Sequence, residues 1–160
     1  AFESSATNLD RVPDTDEWMD IFVHDRKTGE TRLVSASTGG VRGNWSSYSP
    51  AISHDGRFIA FQSDSTNLVV GDTNKARDIF WHDTRTGVTT RVSVDRDGRE
   101  SDGWSGAPAI TPDGQKVLFP SGATNLVPGD TNRSGDVFLQ RCVVSDAASG
   151  EQHIRVTSRG

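Results

Sequence analysis

Asp72-x-Asn74-x-x-x-Asp78 sets three oxygen-bearing side chains within seven residues. The pattern recurs as Asp130, Asn132 and Asp136 and, with aspartate in the middle position, as Asp14, Asp16 and Asp20. Two kinds of chemistry suit this spacing. A hard cation such as calcium is held by carboxylate, amide and backbone oxygens from one short turn, and donors at first, third and seventh positions open such a loop. A full twelve-residue calcium loop would go on to a glycine and close on a glutamate, and neither follows here. Alternatively, Asp and Asn side chains accept hydrogen bonds from nearby backbone amides and order a loop as Asx-turns, the last aspartate opening a strand. Retention in three copies fits both readings, so calcium as a cofactor and Asx order stand side by side as expectations.

Trp45 and Trp104 hold similar places just ahead of a repeated segment, and Tyr48 lies beside the former. Exposed there, the three aromatics would serve as ligand-binding residues, stacking on a sugar ring or anchoring a partner protein. Turned inward, they would cover a seam between repeats. Trp18 and Trp81 have no counterparts in the other copies, and Trp81 is expected to pack within a strand. Asn44-Trp45-Ser46 and Asn132-Arg133-Ser134 fit the glycosylation sequon, a short pattern with meaning only in a secreted, glycosylated protein.

No catalytic residue is expected within these 160 residues. There is no Gly-x-Ser-x-Gly elbow, no His-Glu-x-x-His and no Walker-type glycine loop. His24 and His82 each precede an aspartate at the end of a strand-like segment, where neighbours point to opposite faces and form no dyad. His54 falls in a turn and His153 opens a strand.

The elements that must position these residues emerge from an internal repeat. Ala6-Thr7-Asn8-Leu9, Ser65-Thr66-Asn67-Leu68 and Ala123-Thr124-Asn125-Leu126 are offset by 59 and 58 residues. Asp20-Ile21-Phe22, Asp78-Ile79-Phe80 and Asp136-Val137-Phe138 follow at 58. Pro50-Ala51-Ile52-Ser53-His54-Asp55-Gly56 returns as Pro108-Ala109-Ile110-Thr111-Pro112-Asp113-Gly114. Composition agrees with many turns and few helices: 72 of 160 residues are Gly, Asp, Ser, Thr or Asn, and the charged residues are mostly Asp (17) and Arg, not helix-favouring Glu (5) and Lys. The second copy predicts four strands. Pro50 to Ser53 meets the Asp55-Gly56 turn, and Arg57 to Ser63 is apolar on both faces, as suits a strand between neighbouring sheets. After a long polar loop come Asp78 to His82 and then Thr89 to Val94, whose alternation predicts one wet face at a sheet edge. The fold class is therefore all-β. Four antiparallel strands per unit define the blade of a β-propeller, with the long loop, Trp45 and Trp104 on one face.

Ser53-His54-Asp55-Gly56-Arg57, Ile59-Ala60-Phe61 and Asp78-Ile79-Phe80, with weaker counterparts at Thr111 to Gln115 and Asp136 to Phe138, resemble the TolB-like, WD-like β-propeller repeats. The resemblance covers essentially the whole chain. Its departure is the third unit, where five extra residues around Cys142 to Asp146 precede the Asp146 to Gly150 turn. The chain opens inside a second strand, Ala1-Phe2-Glu3-Ser4, and ends after a fourth, Ile154-Arg155-Val156-Thr157. This predicts a single arc of about two and three-quarter blades: blade 1 over 1–46, blade 2 over 47–105 and blade 3 over 106–160. A closed propeller needs roughly 4 to 8 blades. The arc is thus expected to be a piece of a longer protein or a protomer of a homo-oligomer that completes the ring.

Other function classes fall to simple arithmetic. A formal net charge of −5 with no basic run gives no attraction to nucleic acid. The longest apolar stretches, such as Phe58 to Phe61, are far shorter than the roughly 20 residues of a membrane span. Cys142 is the sole cysteine and is expected to be a buried small hydrophobe. What the resemblance implies is an extracellular or periplasmic, non-enzymatic scaffold that presents loops to a protein or carbohydrate, with calcium ordering of the loops as one expectation. The alternative it implies is the propeller portion of a serine peptidase whose catalytic domain lies outside these residues.

Overall fold

In the computed structural model, which describes residues 1–10, 14–132, 134–143 and, for the backbone, 155–156, three antiparallel sheets follow one another along the chain. The first is β1 (Phe2–Ser4), β2 (Asp20–His24) and β3 (Thr31–Leu33). The second is β4 (Ser47–Ile52), β5 (Phe58–Ser63), β6 (Asp78–Asp83) and β7 (Val88–Arg91). The third is β8 (Ala109–Ile110), β9 (Lys116–Ser121), β10 (Asp136–Arg141) and β11 (Arg155–Val156). Each sheet is ordered as the chain runs, and no helix occurs among the described residues. The Asp146 to Gly150 turn and His153 lie outside the described residues, and so does Arg133 of the second sequon.

The apolar run of β5 explains why the sheets stack. Phe58 and Ala60 join Ile79, Trp81 and Val92 in a core with Val117, Phe119, Ala123 and Leu126 of the third sheet's unit. Ile59 and Phe61, on the other face, pack with Phe80 and Leu68 against Ile21 and Val34 of the first. A strand with one wet face could not supply both contacts. A cross-strand phenylalanine pair marks the same register in every unit: Phe2 with Phe22, Phe61 with Phe80 and Phe119 with Phe138, at centroid distances of 5.8, 5.7 and 6.0 Å. Stacked antiparallel sheets in simple up-and-down order, each the inward face of the next, form a β-propeller segment.

Two expectations change. The first strand of the second unit begins earlier, at Ser47, and is interrupted between Tyr48 and Ala51, where Ser49 has φ of 53°. Ala107, its equivalent, has φ of 43°. Each of these strained residues is held from the preceding sheet: the Ser49 N–H donates to Glu3 Oε2 at 2.8 Å, and the Ala107 N–H to Gln62 Oε1 at 2.6 Å. The fourth strand does lie at an edge, but it covers Val88–Arg91 and its half-exposed positions are Val88 and Thr90, not the Arg91 face expected to be wet. Arg91 and Ser93 are buried beside Val92 and Val94, because their polar groups are consumed by the acidic loop described next.

Candidate functional site

The acidic loops are built alike in the first two units. Asp78 opens β6 fully buried, and its Oδ1 accepts from the Ser93 hydroxyl at 2.5 Å and the Ser101 hydroxyl at 3.1 Å. Asp20 opens β2 in the same way, with the Ser35 hydroxyl at 2.5 Å. Both serine oxygens also accept the next backbone amide, that of Ile79 or Ile21, at 3.0 Å. The middle residue of each motif makes the Asx-turn. Asp16 Oδ1 accepts the Trp18 N–H at 3.0 Å, Asn74 Oδ1 the Ala76 N–H at 2.8 Å and Asn132 Oδ1 the Ser134 N–H at 2.8 Å. The amide nitrogen of Asn74 then faces Asp78 at 3.2 Å and the Ser101 carbonyl at 2.9 Å. The Asn132 nitrogen faces Asp136 at 3.3 Å.

An arginine closes each of these two clusters. Arg91 Nη1 lies 3.5 Å from Asp72, 3.5 Å from Asp78 and 3.1 Å from Glu100. Arg42 pairs with Asp10 and Asp14 at 3.2 Å each and, more closely, with Asp20. The two arginines come from different places in the repeat. Arg91 stands in β7 opposite Phe80, where the first unit has Leu33 opposite Phe22. Arg42 stands in the loop between sheets, bridged to Ala36, where the second unit has Glu100 bridged to Val94. Glu100 also accepts from the Thr73 N–H at 2.9 Å and from its hydroxyl, tying the tip of the long loop to the loop between sheets. The sequence-predicted residues Asp72, Asn74 and Asp78 are therefore brought together, as are Asp14 and Asp20.

Burial governs their ionisation. The Asp72 carboxyl is pushed up to about 6, first by desolvation and then by the charge of Asp78. Desolvation likewise raises Asp20 and Asp78, against the serine and arginine hydrogen bonds that favour their charged forms. A calcium ion here would share the Asn74 oxygen with the Ala76 amide and would compete with Arg91 for the Asp72 and Asp78 carboxylates. Among the described residues, no group of three or more His, Cys, Asp or Glu is arranged to hold a metal ion. In the third unit, no described arginine pairs with Asp130, Asn132 or Asp136, and Asp130 Oδ1 is buried without a described hydrogen-bond partner.

The aromatic candidates separate. Asn44 and Asp102 are structural equivalents, each bonded to the Thr and Asn of the following Thr-Asn-Leu segment. Trp45 therefore corresponds to Gly103, and Trp104 stands one position further on. The two tryptophans do not hold equivalent places as the spacing suggested. Trp45, 48% exposed, lies against Trp18 with centroids 4.7 Å apart. Trp104, 54% exposed, lines a cleft of about 410 Å³ with Gln62, Asp64, Arg77, Gly106, Ala107 and Pro120. Arg77 makes a bidentate pair with Asp64, both bonds 2.9 Å, and lies over the Tyr48 ring at 5.3 Å. Tyr48 thus reaches the cleft's wall only through Arg77.

Arg42, Glu100, Asp64 and Arg77 went unmarked in the sequence because none of them is repeated, and Arg91, although Arg91-Val92 returns as Arg155-Val156, because the first unit has Leu33 in its place. A repeat search finds what the copies share, and these residues are where they differ. Trp18 was visible but had no counterpart to signal a role. His82 is buried, bonded to Thr89 at 2.9 Å, and its pKa is lowered by burial; it packs and takes no part in a dyad. Cys142 is buried as expected, and desolvation pushes its thiol up to about 12.

The chain is thus an all-β propeller segment. No protein-family model matches it, and no curated protein does. Among solved structures it is similar to TolB from Acinetobacter baumannii, at 18% sequence identity and a TM-score of 0.44, over 88% of this chain and 27% of that one. The chain therefore spans little more than a quarter of that protein's length. Among the described residues no helix is long and apolar enough to cross a membrane.

Proposed function

We propose that this chain is a non-enzymatic β-propeller scaffold that presents one loop face to a protein or carbohydrate ligand. The observation that carries the reading is the half-exposed Trp104 at a cleft on a face whose long loops are locked together by buried ion clusters. An exposed aromatic on a rigid base is what recognition uses, because its ordering cost has been met before the ligand arrives. Calcium enters this reading only through the third unit, where the described residues supply no arginine. The resemblance of the repeats to exported propellers supports an extracellular or periplasmic location, and a second copy of the chain is the proposed occupant of the apolar sheet face formed by Leu118, Val137 and Leu139.

The test is selection of ligands for the intact chain from a glycan array and from a phage-displayed peptide library. Binding should fall with Trp104→Ala and Thr73→Arg on the loop face and survive Asp55→Lys and Asp113→Lys on the opposite turns. Ligands sensitive only to the turn-face changes, or consumed by the protein, would overturn it.

A further inference from the structure

We propose that the Trp104 cleft binds a pyranose ring of a neutral oligosaccharide, with the indole as the stacking platform and the Asp64–Arg77 pair as partners for the hydroxyls. This rests on the scaffold reading above and narrows its ligand. The cleft, at about 410 Å³, falls in the size range of small-molecule sites, roughly 300 to 1,000 Å³.

Its platform is fixed in advance. The Trp104 carbonyl accepts from the Gly122 N–H at 2.9 Å and the Ser121 hydroxyl at 2.8 Å, pinning the backbone to the end of β9. The indole edge lies so close to Gly122 that a Cβ there would come within 2.7 Å of Nε1. Only glycine admits the ring in this pose, and half of its surface remains open to solvent. An apolar C–H face of a sugar is the natural complement to such a surface.

The polar wall selects the class of ligand. Asp64 and Arg77 are each more than a third exposed and bonded to one another. Two of the five guanidinium N–H groups are spent on Asp64, so three remain, and the carboxylate keeps lone pairs free. Gln62 Oε1 is occupied by the Ala107 N–H, which leaves its amide hydrogens as donors. Such a wall offers donors and acceptors together with no net charge. A sugar hydroxyl is itself donor and acceptor and matches it, whereas an anion would want an unbalanced arginine. The cation–π contact with Tyr48 holds the Arg77 plane in place without consuming those donors.

Isothermal titration of the intact chain with maltotriose, cellotriose and triacetylchitotriose tests the assignment. At least one should bind, Trp104→Ala and Asp64→Ala should each weaken it about tenfold, and Trp45→Ala should leave it unchanged. Asp64→Ala, a change at a half-buried position, carries the test if Trp104→Ala lowers the melting temperature. Three results would overturn the proposal: no heat from any of the three at millimolar concentration, equal binding by Trp104→Ala and Asp64→Ala, or equal loss with Trp45→Ala. Selection of a peptide at the loop face without sugar binding would overturn the sugar and leave the scaffold standing. Failure of both selections would remove the scaffold as well.

Discussion

Arg91 balances three carboxylates, those of Asp72, Asp78 and Glu100, with a single charge. Removing it leaves buried acids without a counter-charge, so Arg91→Gln should cost about 3 to 5 kcal/mol, read as a lowered denaturation midpoint. An unchanged midpoint would show that the cluster is solvated. Desolvation first, and the neighbouring charges of Asp78 and Glu100 after it, raise the Asp72 carboxyl to about 6, so that it holds a proton in the folded state that the unfolded chain gives up. Stability from this group is complete below about pH 4, falls as the pH rises toward about 6 and is level above that. Asp72→Asn should abolish this fall. Melting temperatures of the two proteins compared from about pH 4 to about pH 7 test it, and parallel curves would refute it. The Asp/Asn spacing was legible in the sequence, and so was the choice between cation and Asx-turn. The occupant was not legible, because each arginine comes from a position that the neighbouring unit fills with Leu33 or Glu100.

Hairpins with the same residues carry different burdens in successive units. Gly56 and Gly114 sit in equivalent Asp-Gly turns at φ of 75° and 72°. A Cβ at Gly56 would meet nothing within 4 Å, whereas one at Gly114 would lie 2.1 Å from Phe58 Cδ2. Gly56→Ala should therefore cost only the backbone term, about 1 to 2 kcal/mol, and Gly114→Ala distinctly more in the same denaturant titration. Equal losses would mean that the seam yields freely. At that seam Phe58 stacks on Trp81 at 4.7 Å, and the Trp81 Nε1–H donates to the Gly114 carbonyl at 3.0 Å. Trp81→Ala should remove about 3 to 5 kcal/mol, checked by the same titration. The strands, their order and the packing role of Trp81 followed from period and turn chemistry. The buried polar edge of β7 did not, since Thr, Arg and Ser in alternation with Val read as a wet face until Asp78 and its neighbours are placed against them.

The sheets join by a repeated clasp, in which Glu3 or Gln62 reaches from β1 or β5 to a strained amide in the next sheet. Pro120 stands at the corresponding place in β9, opposite Val137 as Gln62 is opposite Ile79, and has no acceptor side chain to offer. Beyond it, Leu118, Val137 and Leu139 are exposed on a face whose equivalents, Ala60, Ile79 and Trp81, are buried by the third sheet. An apolar face of this kind drives association. Sedimentation of the 160-residue chain should show a concentration-dependent mass above 17.3 kDa, reduced by Val137→Glu with Leu139→Lys. A monomer at every concentration would exclude a second copy from this face. The differing sources of arginine have a consequence for any attempt to rebuild the array from one averaged unit. Copying the first unit's position 33 with the second unit's position 100 would give clusters with no cation, and copying position 91 with position 42 would give clusters with two. Either unit copied whole keeps its one cation, so a working concatemer would have to inherit both charge partners from a single parent.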